Sequence, residues 1–533
     1  MRVKKVMGWI CRVGQAHPTA AAAVWSTLLA VGLTWPTVLH MGARVLGRID
    51  ADTTKHLWNL WWMRASVWDQ GSVPLDTILI NFPAGMRLFP IEPLNGLVAV
   101  LLPFVPIVLL SNLLALANLA ALGVAGAWLG RLVSRSVLGG ILAGTLMECS
   151  SVAAYVMHIG VGEFQHLWWL PLGLGVMEHA RQTPRARTFA LLGLCLAGAT
   201  LSSFYIGLFL ALSTTWFALI TLLGRGRSRK LAAGYALAAG LALALTWPVV
   251  QAFAASWGPS DSISAPQILR SMFIEGHVLP ADGVAARVDP SELLWANPRD
   301  GDLSKDSYQG GRYLGPAMMA LALVGVVRAP LVGLAWAGLA LLGVVFSMGS
   351  YLSLGGQEVL WEGTVRFRLP LLYLNGLLAC VAESLNFAVR FLAITMTGLG
   401  VLGALAARGD RRSWRFVAAL ATALVVVTTA NGQRVARPWS SFELPEVSAL
   451  EAIRGAPQEA VFNLFPLQTI DKFELRLAMA SQMAHGLPTQ VVPIDRIMEY
   501  NSYGLRLSRA LKLPKHVHDL TALERSAPGV SEQ

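Results

Sequence analysis

Two carboxylates stand two residues apart at Asp50-Ala51-Asp52, just beyond the first long apolar stretch of the chain. A pair at that spacing can hold a divalent cation, act as a general base, or accept a hydrogen bond from a sugar hydroxyl. In isolation the pattern is also common in solvated loops, so the surroundings decide. The next residues are Thr53-Thr54-Lys55-His56-Leu57-Trp58-Asn59-Leu60-Trp61-Trp62, an aromatic and partly basic run expected in the headgroup zone. Tryptophans there form an interfacial aromatic belt, with stacking on a sugar ring as the alternative. Further along, Glu148 falls inside an apolar stretch, where an ionisable side chain is costly and marks function by default. The competing reading is a protonated or hydrogen-bonded glutamate facing the helix bundle. Gly162-Glu163-Phe164-Gln165-His166 offers another acidic position in a short loop, whereas Glu178-His179 reads as interfacial. No GxxxxGK[ST] loop and no HExxH occur, which removes support for ATP hydrolysis and for a zinc protease. The four cysteines (Cys11, Cys149, Cys195, Cys380) are scattered without a CxxC pair, against a disulfide or metal framework.

The elements that must position these groups are membrane helices. Of 533 residues, 55% are hydrophobic and only 14% charged, with mean hydropathy +0.54. Soluble proteins carry about 25% charged residues, so soluble, coiled-coil, disordered and disulfide-rich secreted classes are all disfavoured. The apolar residues fall into blocks of about 17–25. Eleven spans are read at 19–40, 111–130, 137–157, 166–180, 188–203, 204–223, 231–253, 313–327, 331–347, 391–407 and 415–431. The stretches 94–110 and 369–385 are read as interfacial or re-entrant. Small-residue patterns such as those at Gly123 and Ala127, or Gly234 and Ala238, read as helix packing.

Charge sets the orientation. Eighteen of the 42 Lys and Arg residues lie in six short clusters between apolar blocks: Arg2, Lys4, Lys5 and Arg12; Arg131 and Arg135; Arg181, Arg185 and Arg187; Arg225, Arg227, Arg229 and Lys230; Arg328; and Arg408, Arg411, Arg412 and Arg415. If alternate loops face the cytoplasm, all six land there, as the positive-inside rule requires. The N-terminus is then inside and the C-terminus outside. This placement accounts for the net charge of +11 without nucleic-acid binding. The basic start and apolar stretch raise a cleaved signal peptide; without a small-x-small site near Met41, a signal anchor is the reading taken.

Three outer segments are too long to be connectors: 41–110, 254–312 and the tail 432–533. The tail carries eleven basic and eleven acidic residues, so the whole excess of charge belongs to 1–431. Its apolar runs at 460–464 and 490–492 alternate with helix-like stretches at 446–453 and 473–483, the pattern of a small α/β module.

The run Asp50 to Trp62, then Asn81-Phe82-Pro83-Ala84-Gly85-Met86, then Pro93-Leu94-Asn95-Gly96-Leu97 resembles the first outer loop of bacterial multispanning proteins. These are related to the GT-C glycosyltransferase superfamily, which includes protein O-mannosyltransferases and the lipid A aminoarabinose transferase. The likeness continues through His166-Leu167-Trp168-Trp169-Leu170-Pro171-Leu172, Leu201-Ser202-Ser203-Phe204-Tyr205, Pro290-Ser291-Glu292-Leu293-Leu294-Trp295 and Tyr313-Leu314-Gly315. Asn386-Phe387-Ala388-Val389-Arg390-Phe391 is similar to an Arg-x-Pro-x-Arg-Phe stretch, though only Arg390 carries over. Their order over about 480 residues is what makes the resemblance.

The resemblance implies an all-α polytopic membrane protein of GT-C-like fold in the bacterial cytoplasmic membrane, with about eleven spans. It also implies an inverting transfer of a sugar from a polyprenyl-phosphate carrier to a glycan, lipid or protein acceptor on the extracytoplasmic side. Asp50 or Asp52 would be the base, with Glu163 a second acidic site, although the relatives tend to show Gly-His there. A carboxylate beside apolar lipid accepts a proton nearer neutrality than one in water. Lys55, Arg87, Arg312 and Arg390 are candidates to hold the lipid phosphate, each also readable as an ordinary interfacial cation. His56 and His166 are further substrate-binding candidates. Magnesium or manganese bridging Asp50 and Asp52 is an open option. Two other readings stand beside the enzyme: a non-catalytic protein of the same fold that assists envelope glycan assembly, and a lipid-linked glycan transporter or flippase. The latter is disfavoured by the large outer loops and the lack of repeat symmetry.

Overall fold

The structure, a computed structural model, describes residues 17–48, 52–80, 86–87, 91–224, 229–256, 287–294, 311–355, 357–361, 365–377, 387–408, 416, 418–420, 422–424, 441–444, 479 and 482–483. These residues are mostly α-helical. Helix α1 spans Pro18–Leu33, α2 Thr53–Trp68, α3 Pro93–Leu101, α4 Ile107–Ser134, α5 Val137–Glu148, α6 Ser151–Ile159 and α7 Trp169–Gln182. Then come α8 Ala186–Ser202, α9 Phe204–Gly224, α10 Arg229–Ser256, α11 Pro316–Arg328, α12 Pro330–Ser347, α13 Pro370–Leu377 and α14 Leu392–Ala406. Strands β1 (Arg44–Leu46) and β2 (Ser441–Glu443) pair antiparallel. The other described strands form two-residue ribbons.

Helices occupy ten of the eleven positions expected for spans, and 415–431 lies largely outside the described residues. Five of them (α4, α9, α10, α12 and the segment Ala388–Ala406 that holds α14) are long and apolar enough to cross a membrane, and the bent pair α5 and α6 makes a sixth. Helices α1, α8 and α11 are apolar but shorter. The stretch 137–157, read as one span, is two helices meeting at a 41° bend. Ser150 stops α5 from continuing, because its hydroxyl accepts the Ala153 N–H at 3.1 Å and so caps α6. The stretch 94–110 also divides. Pro103 and Pro106 interrupt it between α3 and α4, since neither can donate a helical hydrogen bond. At nine residues, α3 falls well short of the roughly 20 needed to span; α13 is described over eight residues, and 378–386 lie outside the described residues.

The chain forms two compact units: Met1–His40, Asn112–Pro248 and Ser262–Ser440 make one, and Met41–Ser111, Val249–Asp261 and Ser441–Gln533 the other. In the first, α14 is buried along its whole length and packs against α5, α11 and α12. A helix apolar on every side has no solvent face to present and goes to the centre. Glycines let the backbones close: a Cβ on Gly325 would stand 2.1 Å from the Leu402 carbonyl oxygen, and one on Gly144 2.2 Å from that of Gly123. In lipid, where no hydrophobic force drives helices together, such close contact is a main source of association.

In the second unit α2 packs against α3, with Gly96 admitting the Met63 side chain. Trp58 and Trp62 stack with centroids 5.5 Å apart and are buried with Met63, Leu79, Ile80 and Met479. Trp58 Nε1 donates to Gln482 Oε1 at 2.8 Å, and Gln482 Nε2 donates to the Leu79 carbonyl. These two tryptophans are therefore core residues rather than a headgroup belt. Their partners Met479 and Gln482 come from the tail, as does β2, whose Ser441, Phe442 and Glu443 pair with Leu46, Val45 and Arg44. The remaining elements expected in the tail, at 446–453, 460–464 and 490–492, lie outside the described residues.

Replacing Gly144 by Ala is expected to cost about 1–3 kcal/mol, the usual range for overpacking, because the obstructing atom is backbone. Gly240→Ala, inside a helix with nothing within 4 Å, should raise the thermal unfolding midpoint in detergent slightly, since alanine is the better helix former.

Candidate functional site

Glu163 and Arg390 are 227 residues apart in sequence and meet in the first unit. Glu163 lies in a 3-10 turn, Gly162–Trp168, that follows α6. Arg390 lies in another, Ala388–Phe391, that leads into α14. Arg390 Nη1 donates to Glu163 Oε1 at 3.1 Å, with side-chain exposures of 10% and 23%. The guanidinium stands 4.5 Å from the Tyr205 ring centroid, 4.7 Å from Phe387 and 5.3 Å from Phe164. Aromatic faces are negative, so three of them around a cation replace part of the hydration it gives up.

The rings are held from behind. Phe164 meets Tyr205 and Phe209 edge-on, Phe209 packs on Phe391 with centroids 4.6 Å apart, and Phe391 stacks on Phe346 of α12. His166, buried in the same turn as Glu163, has ψ of 24° and marks the kink before α7. Trp169 Nε1 donates to Ser202 Oγ at 2.7 Å and fastens this end of α7 to α8. Two short turns and the first turn of α9 thus present an acid, a cation and aromatic walls together. Sequence reasoning names Glu163 and Arg390 separately. The walls carry a weaker signal, Phe164, Tyr205 and Phe387 each sitting inside a stretch already singled out.

Arg312 is placed differently. Its Nη1 reaches both Glu292 oxygens, at 2.9 and 3.0 Å, and the residue is 1% exposed. Glu292 also completes a capping box with Asp289. Both Leu314 and Gly315 donate backbone N–H groups to the Leu293 carbonyl. The pair therefore pins residues 287–294 to 311–315. This geometry supports a structural role for Arg312.

In the second unit Asp52 stands at the N-cap of α2, its carboxylate 3.6 Å from Lys55 Nζ. Asp50 lies outside the described residues. His56 Nδ1 is bonded to Glu92, whose other oxygen receives Asn95 Nδ2 at 2.6 Å. Asn59 Oδ1 accepts the Ile91 N–H at 3.0 Å. Residues 91–95 are thereby stapled across one side of α2 by buried polar groups. Sequence reasoning misses Glu92, whose only signal is a carboxylate just before Pro93 with Asn95 three residues on. Arg87 pairs in backbone register with Asp76. Among the described residues no group of three or more His, Cys, Asp or Glu side chains could hold a metal ion. Asp52, the described member of the acidic pair, faces an ammonium group instead.

No family model and no curated protein matches the chain. Among solved structures, that of ArnT from Cupriavidus metallidurans bound to undecaprenyl phosphate is similar at 13% identity and a TM-score of 0.39, over 93% of this chain and 88% of that one.

Glu92→Ala should cost about 1–3 kcal/mol, the penalty for leaving buried hydrogen-bonding groups, here His56 Nδ1 and Asn95 Nδ2, without their partner. His56→Leu with Glu92→Leu should cost less than Glu92→Ala alone. Urea unfolding in detergent, followed by circular dichroism, reads both.

Proposed function

We propose that the protein is a membrane glycosyltransferase of GT-C type, moving a sugar from a polyprenyl-phosphate carrier to an acceptor on the extracytoplasmic side. The observation that carries this reading is the Glu163–Arg390 pair inside its aromatic walls. Arg390 is a residue the resemblance marks for the site, Glu163 stands at a second acidic position where the relatives tend to show Gly-His, and the two come from distant parts of the chain. The ordered likeness over about 480 residues supports it independently, as does the membrane composition. Eleven spans, with the N-terminus inside and the C-terminus outside, belong to the same proposal.

By the resemblance, removal of the acceptor hydroxyl proton falls to a carboxylate, Asp50 or Asp52. The acceptor oxygen then forms its bond to the anomeric carbon as the bond to the lipid phosphate breaks, so configuration inverts. Negative charge grows on the departing phosphate, and Arg390 is the cation proposed to receive it. A guanidinium has five N–H donors in a planar fork and can bridge a carboxylate and a phosphate oxygen together. Glu163 holds that fork in place, and the aromatic rings lower the local dielectric, which strengthens the contact. Lys55 keeps Asp52 oriented at the start of α2.

A second reading draws on a specific observation: Lys55, His56 and Arg312 are all matched to acids. That pattern suits a non-catalytic protein that binds lipid-linked glycans with few groups left for chemistry. Mass spectrometry of lipid-linked sugars and envelope glycans separates the two in strains that are intact, deleted, Asp50→Asn/Asp52→Asn or Arg390→Ala. The transferase reading expects both variants to reproduce the deletion, with donor accumulating while the protein still reaches the membrane. An acidic-pair variant indistinguishable from the intact strain, alongside a defective deletion, would establish the non-catalytic reading.

A further inference from the structure

Glu148 takes no part in the proposed reaction, yet it is the acidic side chain most deeply enclosed in the helical unit among the described residues. It is the last residue of α5, at the bend before α6, and is 1% exposed. Both carboxyl oxygens are sealed from solvent without a fully formed hydrogen bond. The Ser26 hydroxyl of α1, itself buried, stands beside them and is able to complete one. The carboxyl fills a notch at Gly123 of α4: a Cβ there would lie 2.1 Å from Glu148 Oε2 and 2.3 Å from Ser26 Oγ. Three helices thus meet at one carboxyl.

Among the described residues no cation is paired with it. Helix α5 packs against α1, α4 and α14. Neither α1 nor α14 contains a titratable side chain. On α4 the one charged residue is Arg131, which packs near Gly140 at the other end of α5. No ion pair to Glu148 exists among the described residues. An unpaired carboxylate in such surroundings would lose its hydration with nothing in return. A carboxylic acid avoids that cost and gains a donor, the O–H, which an adjacent serine oxygen can accept.

We propose that Glu148 is a proton-binding site within the membrane unit, held as the neutral acid and donating its O–H to Ser26 so that α1 is tied to the α5–α6 bend. The small residue at Gly123 is what admits the carboxyl, and Ser26 supplies a side-chain oxygen beside it. Release of the proton would leave a bare carboxylate between α1 and α4 and force the helices apart. The site is independent of the transferase reading and stands or falls separately from it.

Infrared difference spectroscopy on the full-length protein in lipid tests this directly. Subtracting Glu148→Gln from wild type at neutral pH should show the loss of a carboxylic C=O stretch, with no loss of carboxylate bands. In Ser26→Ala the same acid band should persist but move to higher frequency, as a donor that has lost its acceptor does. Loss of carboxylate bands in Glu148→Gln, or their appearance in place of the acid band, would overturn the proposal. An acid band that stays put in Ser26→Ala would overturn the tie to α1. Should Glu148→Gln fail to fold, the Ser26→Ala spectrum still decides, because an acid band that responds to Ser26 can only come from a protonated group beside it.

Discussion

A guanidinium cannot lie bare among apolar helices, and Arg390 does not. Its charge is met by Glu163 at 3.1 Å and by three aromatic faces. Because those partners belong to separate stretches of chain, satisfying one charge draws together the turn after α6, the start of α9 and the turn before α14. The helices behind them are drawn in as well. Phe209 and Phe391 close the rear of the ring cluster, and Phe346 links it to α12. The same rule governs other buried polar groups: the Arg312 guanidinium takes Glu292, and His56 is hydrogen-bonded to Glu92. Glu148 has no such cation among the described residues, which gives it a consequence of its own.

Packing supplies the frame for this electrostatics. The central helix α14 carries no charged residue and is buried on all sides. Its neighbours approach through glycines at distances that no side chain would permit. A rigid frame matters for the pair at Glu163 and Arg390, since both sit on short turns that would otherwise wander.

Much of the helical layout is legible in the sequence because lipid imposes it. An apolar run must satisfy its own backbone, so runs such as 204–223 and 331–347 correspond closely to α9 and α12. The bend at Ser150 is not legible, because hydropathy averages over a window and does not register one serine hydroxyl capping a new helix. Local composition alone assigns Trp58 and Trp62 to a headgroup belt. What makes them core is Met479 and Gln482, each roughly 400 or more residues away, and no local pattern announces that pairing. Glu163 and Arg390 are legible as separate residues, through their motifs. Their meeting is not, since it depends on how α6, α9 and α14 pack. Arg312 shows the converse: an arginine in a loop looks like a phosphate ligand until its acid, Glu292, is seen twenty residues earlier in the chain.

The central claim is that Arg390 holds the phosphate of a lipid carrier while Glu163 only orients it. The most direct measurement is lipid extraction and mass spectrometry of the purified protein after incubation with polyprenyl phosphate, for wild type, Glu163→Gln and Arg390→Ala. Wild type should retain the lipid, Glu163→Gln should retain most of it, and Arg390→Ala should retain none above a protein-free control while remaining folded. Retention by a folded Arg390→Ala equal to that of wild type would contradict the claim.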